Sequence, residues 1–354
     1  MNETLEKYTI KSFHADFPDD AACLEFVFKT RWPDGGTCKC GKKDCFYPVT
    51  GRRSYACSWC GYQISPTAGT IFHKSETSLK SWFFAMFLMS SSKNGVAAKE
   101  LERQLGVTYK TAHRMGHKIR QLMQSGGDML CGIVEADETF IGGLAKNMHR
   151  AKRKAAIKGT GGATKTPVIG ILERGGNVQA KVVSEVATHI VLPNILDNVK
   201  KGTVICTDEY NGYKLLTKAG FSHFRISHSS RKYVRGQVHT NSIEGFWSQL
   251  KRSINGTFHH VSKQHLQSYA NDLGHVSGWL LEHQFMRFIW LWPIRFVAPE
   301  TGYFKPIHWP LPSERLKPSK SRLLDVKGQL PKIASSWSCA TDNETATIDY
   351  IRAS

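Results

Sequence analysis

Three acidic residues in the middle of the chain are of the types needed for chemistry on a phosphodiester. They are Asp137 in VEADETF, Asp208 in CTDEY and Glu244 in NSIEGF. Such chemistry needs an activated oxygen nucleophile and a stabilised leaving oxygen. Two divalent ions, Mg²⁺ or Mn²⁺, about 4 Å apart can supply both, and carboxylates are the side chains that hold them. Lys251 lies seven residues after Glu244, two helical turns, so both look out from one face and Lys251 can meet a phosphate beside the ions. Asn241, three residues before Glu244, offers a neutral oxygen and is an alternative third ligand. The neighbouring acids are sorted by strand alternation, which sends adjacent side chains to opposite faces. Glu138 and Glu209 are therefore expected to point away from Asp137 and Asp208, whereas Glu135 shares the face of Asp137. Tyr210 and Tyr213 read as packing residues.

A second kind of chemistry is written in the cysteines. Five of the nine lie between Cys38 and Cys60. Cys57 and Cys60 form a C-x2-C turn followed by Gly61. The first turn offers three thiols, Cys38, Cys40 and Cys45, for two places. Chain position favours Cys38 and Cys40, with Cys45 able to replace Cys40. Two cysteine turns joined by short strands make a zinc ribbon, in which one structural Zn²⁺ substitutes for a core that such small hairpins cannot bury.

These groups need elements to position them. Residues 1–30 read as a helical lead-in to the ribbon, and LKSWFFAMFLM after Ser78 as a buried helix. Residues 94–123 pattern as two helices around Gly106, with Ala98, Leu101, Leu105, Val107, Ala112 and Ile119 between them. This is helix-turn-helix geometry, whose second helix would turn Tyr109, Lys110, His113 and Arg114 toward double-stranded DNA. The periodicity then changes. A strand is expected at 132–143, a basic, Gly-rich mobile loop at 149–165, and a hairpin at 167–186 turning at Gly175-Gly176. A helix (188–202), a strand (203–213), a further helix, a strand (224–229) and a last helix (239–254) complete the order. That order is the one expected of an α/β, ribonuclease-H-like mixed sheet flanked by helices. The expected domains are lead-in and ribbon (1–75), helix-turn-helix segment (76–126), catalytic domain (127–275) and a C-terminal extension without assigned role (276–354).

Bulk properties agree with a DNA partner. Hydrophobic residues make up 41% of the chain, enough for a folded core, and the formal net charge is +19. A strong positive balance favours a polyanion, because each neutralised phosphate releases counterions. MNETLEKYTIKSFHADFPDD lacks an apolar signal-peptide core, and the most apolar stretch, 279–296, is interrupted by Glu282, His283, Arg287 and Arg295. A cytoplasmic, nucleoid-associated protein with no membrane contact is the expectation.

VEADETFIGG, TDEYNGY and HTNSIEGFWSQLKR resemble the three catalytic blocks of DDE transposases. More narrowly, they are similar to the zinc-ribbon insertion-sequence group related to the eukaryotic Merlin elements, the ISXO2-like transposases. The RWPDGG…CSWCGYQISPTAGTIFHKS block resembles that group's ribbon, and the likeness spans about residues 15–270. It implies binding of insertion-sequence ends, their cleavage, and transfer of the 3′ ends into target DNA by a homo-oligomer. Carried over, Asp137, Asp208 and Glu244 become metal ligands and Lys251 a phosphate contact. Some members use Asn as the third ligand, which keeps Asn241 beside Glu244. His239 matches a recurrent His before the last block, as an accessory group. Two departures stand out: the first zinc turn is C-x-C rather than C-x2-C, and the chain past Asp272 does not continue as the group's usual terminal helix. A domesticated DNA-binding regulator and a metal-dependent nuclease of the same fold are the alternatives.

Overall fold

The structure, a computed structural model, describes residues 8–123, 129–143, 145–156, 164–226 and 238–277. The expected C-terminal extension lies almost wholly outside these residues. The described residues form two compact units: 8–92 with 96–122, and 93–95 with 123–277.

The first unit opens on helices α1 (Ile10–Asp16) and α2 (Asp20–Arg31), the latter started by Asp19, whose carboxylate accepts from the Ala22 amide at 2.8 Å. The ribbon follows as three short antiparallel strands, β1 (Phe46–Pro48), β2 (Tyr55–Cys57) and β3 (Gln63–Ile64). Phe28 of α2 stacks on Tyr55 of β2 with ring centroids 4.1 Å apart, and Arg31 donates to the carbonyls of Pro66 and Ala68. Helix α3 (Leu79–Ser91) buries Trp82, Phe83, Met86 and Phe87, with Phe83 against Phe17 and Phe87 against Phe13. Helices α4 (Ala98–Leu105) and α5 (Tyr109–Leu122) then form the expected pair. Gly106 makes the turn possible with φ +63°, a left-handed conformation that side chains with a Cβ resist. Leu101, Ala112, Met115 and Ile119 are buried, while Lys110, His113 and Arg114 are exposed.

The second unit is built on a five-stranded mixed sheet of β4 (Ile133–Ile141), β5 (Thr166–Glu173), β6 (Val178–Val182), β7 (Val204–Thr207) and β8 (Ser222–Arg225), in the spatial order β6-β5-β4-β7-β8. β6, β5 and β4 pair antiparallel; β4, β7 and β8 run parallel. Short helix α6 (Arg150–Ala156) lies between β4 and β5, and α7 (Thr188–Asn198) between β6 and β7. After β8 come α8 (Asn241–Arg252), a π-helical turn over Ser253–Phe258, and α9 (Leu266–Ser277). Helices cover both faces. On one, Val134, Ala136, Ile169, Ile171 and Ile205 pack with Val191, Ile195 and Tyr213. On the other, Val168, Leu172 and Val178 pack with Ile243, Phe246, Trp247, Leu250 and Leu273. The α/β fold with its mixed sheet and preceding ribbon is the one expected.

Two local expectations are corrected. Residues 150–156, read as mobile loop, form α6, because RAKRKAA is a run of strong helix formers; residues 157–163 lie outside the described set. The stretch after β7, expected as strand to residue 213 and then helix, holds only a 3₁₀ turn at Asn211–Tyr213 and further turns, punctuated by Gly212 and Gly220. Among the described residues, no helix is long and apolar enough to cross a membrane.

Candidate functional site

Strand register brings the first two acids together. Ala136 of β4 is the parallel partner of Thr207, the last residue of β7. Asp137 and Asp208 follow one position later on strands about 4.8 Å apart. Asp137 is half-buried, and its Oδ2 accepts from the indole Nε1 of Trp247 at 3.0 Å. Asp208 is held by its own turn, Oδ1 accepting from the Tyr210 amide at 2.9 Å.

Helix α8 brings the third acid to the same face of the sheet. Its apolar side, Ile243, Phe246, Trp247 and Leu250, is buried, which leaves Asn241, Glu244, Lys251 and Arg252 exposed. Burial pushes Asp137 up to about 6, against the Glu138 amide and Trp247, which lower it; the charges of Asp208 and Glu244 raise it further. Asp137 therefore responds to both of the other acids.

Alternation along β4 holds. Glu138 points to the opposite face from Asp137, where its Oε2 accepts from the Tyr213 hydroxyl at 2.8 Å. Burial pushes Glu138 up to about 7, opposed by Tyr213 and reinforced by Asp208 and Asp137. Glu135 shares the Asp137 face but is fully buried and points at the start of α8, where Ser242 and Ile243 donate to it. His239 lies next to Glu135, its Nδ1 3.2 Å from Oε1.

The three carboxylates do not close around a single point. Among the described residues, only the cysteines form a group of three or more ligating atoms all within 4.8 Å of one another. One Mg²⁺ with bonds of about 2.0–2.1 Å would need oxygens no further apart than about 4.2 Å. Two ions would spread their ligands over a wider span than one, and cations would offset the like charges that Asp208 and Glu244 place beside Asp137.

Trp247 and Gly170 were missed from sequence. Gly170 is the antiparallel partner of Asp137 on β5. A Cβ there would lie 2.5 Å from Trp247 Cζ2 and 3.1 Å from Ile243 Cδ1, so the bare backbone is what lets the indole lie over the strand and reach Asp137. A glycine inside an apolar strand was the available signal. Gly170→Ala is expected to cost about 1–3 kcal/mol through overpacking. Thermal melting would register the loss, and unchanged stability would mean that the indole moves aside freely.

The thiol group consists of Cys38, Cys40, Cys57 and Cys60. Cys38 and Cys60 sulfurs are 3.5 Å apart and those of Cys40 and Cys57 3.8 Å. Tetrahedral ligation with Zn–S bonds of about 2.3 Å requires edges of about 3.8 Å, so the donor set fits the ion. The Trp59 amide donates to Cys57 Sγ. Cys45 stands beside the four, its Sγ donating to the Lys42 carbonyl and 3.4 Å from Cys57 Sγ.

An α/β domain with this strand order, preceded by a cysteine-held ribbon, defines the architectural class. Residues 129–275 match the ISXO2-like transposase domain family, and residues 18–63 the transposase zinc-ribbon domain family. An uncharacterized protein in transposable element ISH50 of Halobacterium salinarum is 24% identical over 264 residues, 72% of this chain and 89% of that protein. An uncharacterized transposase-like protein of Haemophilus influenzae is 33% identical over 95 residues, 27% of this chain and 76% of that one. A chain in a simian T-cell lymphotropic virus intasome in complex with PP2A regulatory subunit B56 gamma overlaps 49% of this chain and 63% of its own length, with 12% identity and a TM-score of 0.26, too loose a likeness to bear on the fold. The chain belongs to the ISXO2-like transposase family and carries its zinc ribbon.

Proposed function

We propose that this protein binds insertion-sequence ends, cleaves them and transfers the freed 3′ ends into target DNA, acting as a homo-oligomer on DNA. The observation that carries the reading is the placement of Asp137 and Asp208 at adjacent positions of parallel strands, with Glu244 on the helix laid over the same face. Asp137, Asp208 and Glu244 would hold two divalent ions, and Lys251 would meet a DNA phosphate beside them. When bound, the ions lower the nucleophile's pKa and stabilise the departing 3′ oxygen. The protein's own part would be to hold acids and DNA in line; the hydroxyls of Tyr210 and Tyr213 donate to the Val186 carbonyl and to Glu138, which supports packing roles rather than nucleophilic ones. In the ribbon, Cys38, Cys40, Cys57 and Cys60 would hold one structural Zn²⁺. The test is incubation of purified protein with labelled candidate ends, a target plasmid and Mg²⁺. Joined products support the reading. Nicking without joining favours a nuclease of this fold, and binding with neither favours a domesticated regulator.

Helix α5 would supply part of the grip on the duplex through Lys110, His113 and Arg114. Each phosphate contact contributes about 0.9 to the slope of log affinity against log salt. Lys110→Ala with Arg114→Ala is therefore expected to reduce that slope by about 2 if both side chains contact phosphate. Titrations of a labelled end at several salt concentrations would measure it, and an unaltered slope would remove α5 from the phosphate contacts.

A further inference from the structure

Helix α8 is not capped by its own N-cap residue. Thr240 is of a type that usually folds its hydroxyl onto the second or third amide of a helix, yet its side chain makes no such bond. Its Oγ1 instead donates to Glu244 Oε1 at 3.4 Å. The cap comes from another element. Glu135 of β4 receives the amides of Ser242 and Ile243 on Oε2 at 2.9 and 3.0 Å, across 107 and 108 positions of sequence.

Glu135 is 0% exposed. A carboxylate buried to that degree is costly unless it is charge-paired and fully hydrogen-bonded. Its other oxygen, Oε1, accepts from Arg174 Nε at 2.6 Å, and Arg174 also donates through Nη2 to the His239 carbonyl at 2.7 Å. The partly positive start of α8 adds to the compensation. One side chain thus ties together β4, the turn after β5 and the segment entering α8. It does so two residues before Asp137, on the same strand face.

We propose that Glu135, held by Arg174, is a positioning residue for the phosphoryl-transfer site. It fixes where α8 begins against β4 and so sets the span between Asp137 and Glu244. By taking over the cap, it leaves the Thr240 hydroxyl for Glu244. The inference rests on the two-ion reading above and deepens it.

The test uses the full-length protein with Glu135→Gln, which keeps the size and one acceptor oxygen but loses the charge. Backbone amide exchange at residues 242–243 of the metal-free protein is expected to quicken at least tenfold, with residues 247–250 unchanged. The Mn²⁺ dissociation constant, measured by the spin-resonance signal of free Mn²⁺, is expected to rise at least fivefold. Turnover in end joining should fall at least thirtyfold while KM for DNA stays within twofold. Arg174→Lys, which keeps a cation, should give intermediate values and serves if Glu135→Gln does not fold.

Thr240→Asp added to Glu135→Gln, compared with Thr240→Asp alone so that the lost Thr240–Glu244 bond is common to both, separates positioning from mere capping. It supplies a local cap, so it should restore slow exchange without restoring Mn²⁺ affinity or turnover. Full recovery of turnover would overturn the proposal, as would unchanged exchange or unchanged Mn²⁺ affinity in Glu135→Gln. Wild-type protein that binds no Mn²⁺ at all would instead overturn the two-ion reading, a failure distinguishable because the exchange measurement needs no metal.

Discussion

Asp208→Ala is expected to reduce end joining by at least about a thousandfold, roughly 4 kcal/mol of transition-state stabilisation, while duplex binding changes by less than twofold. The split follows from what Asp208 does in the fold. Its carboxylate accepts from the amide of Tyr210 in the same turn, and among the described residues no side chain hydrogen-bonds to it, so truncation should leave the sheet intact. The loss would therefore appear in turnover, as it does when a group acts only in the reacting complex. A melting temperature close to wild type would exclude unfolding as the cause. Retention of a tenth of wild-type joining would remove Asp208 from the reacting centre. The same assay decides the third ligand. Glu244→Gln should match the Asp208 loss, whereas Asn241→Ala should stay within a few fold of wild type; the reverse pattern would make Asn241 the ligand.

Much of this arrangement could be read from the order of residues, and what could not is instructive. Alternation in VEADETF was enough to send Asp137 toward one face and Glu138 toward the other, because strand side chains have a period of two. Trp247 and Tyr213 receive them on those opposite faces. The role of Glu135 was hidden. A buried acid announces that a partner exists, but Arg174 lies 39 positions away and the α8 amides 107 or more, distances that only sheet closure removes. The two corrected elements fail for local reasons. Glycine and charge around RAKRKAA suggested loop, yet Ala, Lys and Arg need little help to make a short helix. Between β7 and β8, the expected order of elements called for a helix where backbone punctuation at Gly212 and Gly220 allows only turns.

Removing zinc is expected to unfold the ribbon. Its strands have three, three and two residues, and the buried cluster within it is Cys38, Cys45 and Cys57 with Phe46 against them. That is far too little apolar surface to meet the ordering entropy of the segment. Structural zinc sites in small modules contribute about 10–16 kcal/mol of apparent binding energy near neutral pH, and that energy is folding energy. A strong chelator should therefore raise amide exchange across residues 37–64 to near the unchained rate. Helix α2 should loosen where Phe28 stacks on Tyr55, while the Phe13–Phe87 contact between α1 and α3 should persist, since no ribbon residue takes part in it. Single substitutions then choose among the three thiols of the first turn. Cys40→Ser should lower zinc affinity by orders of magnitude, because Cys40 belongs to the group of four sulfurs. Cys45→Ser should retain one zinc per chain, its sulfur being directed at the Lys42 carbonyl. The opposite result, zinc lost in Cys45→Ser and kept in Cys40→Ser, would exchange the two. It would mean that the C-x-C turn of Cys38 and Cys40 is not the ligating one and that the longer Cys38–Cys45 loop closes on the ion.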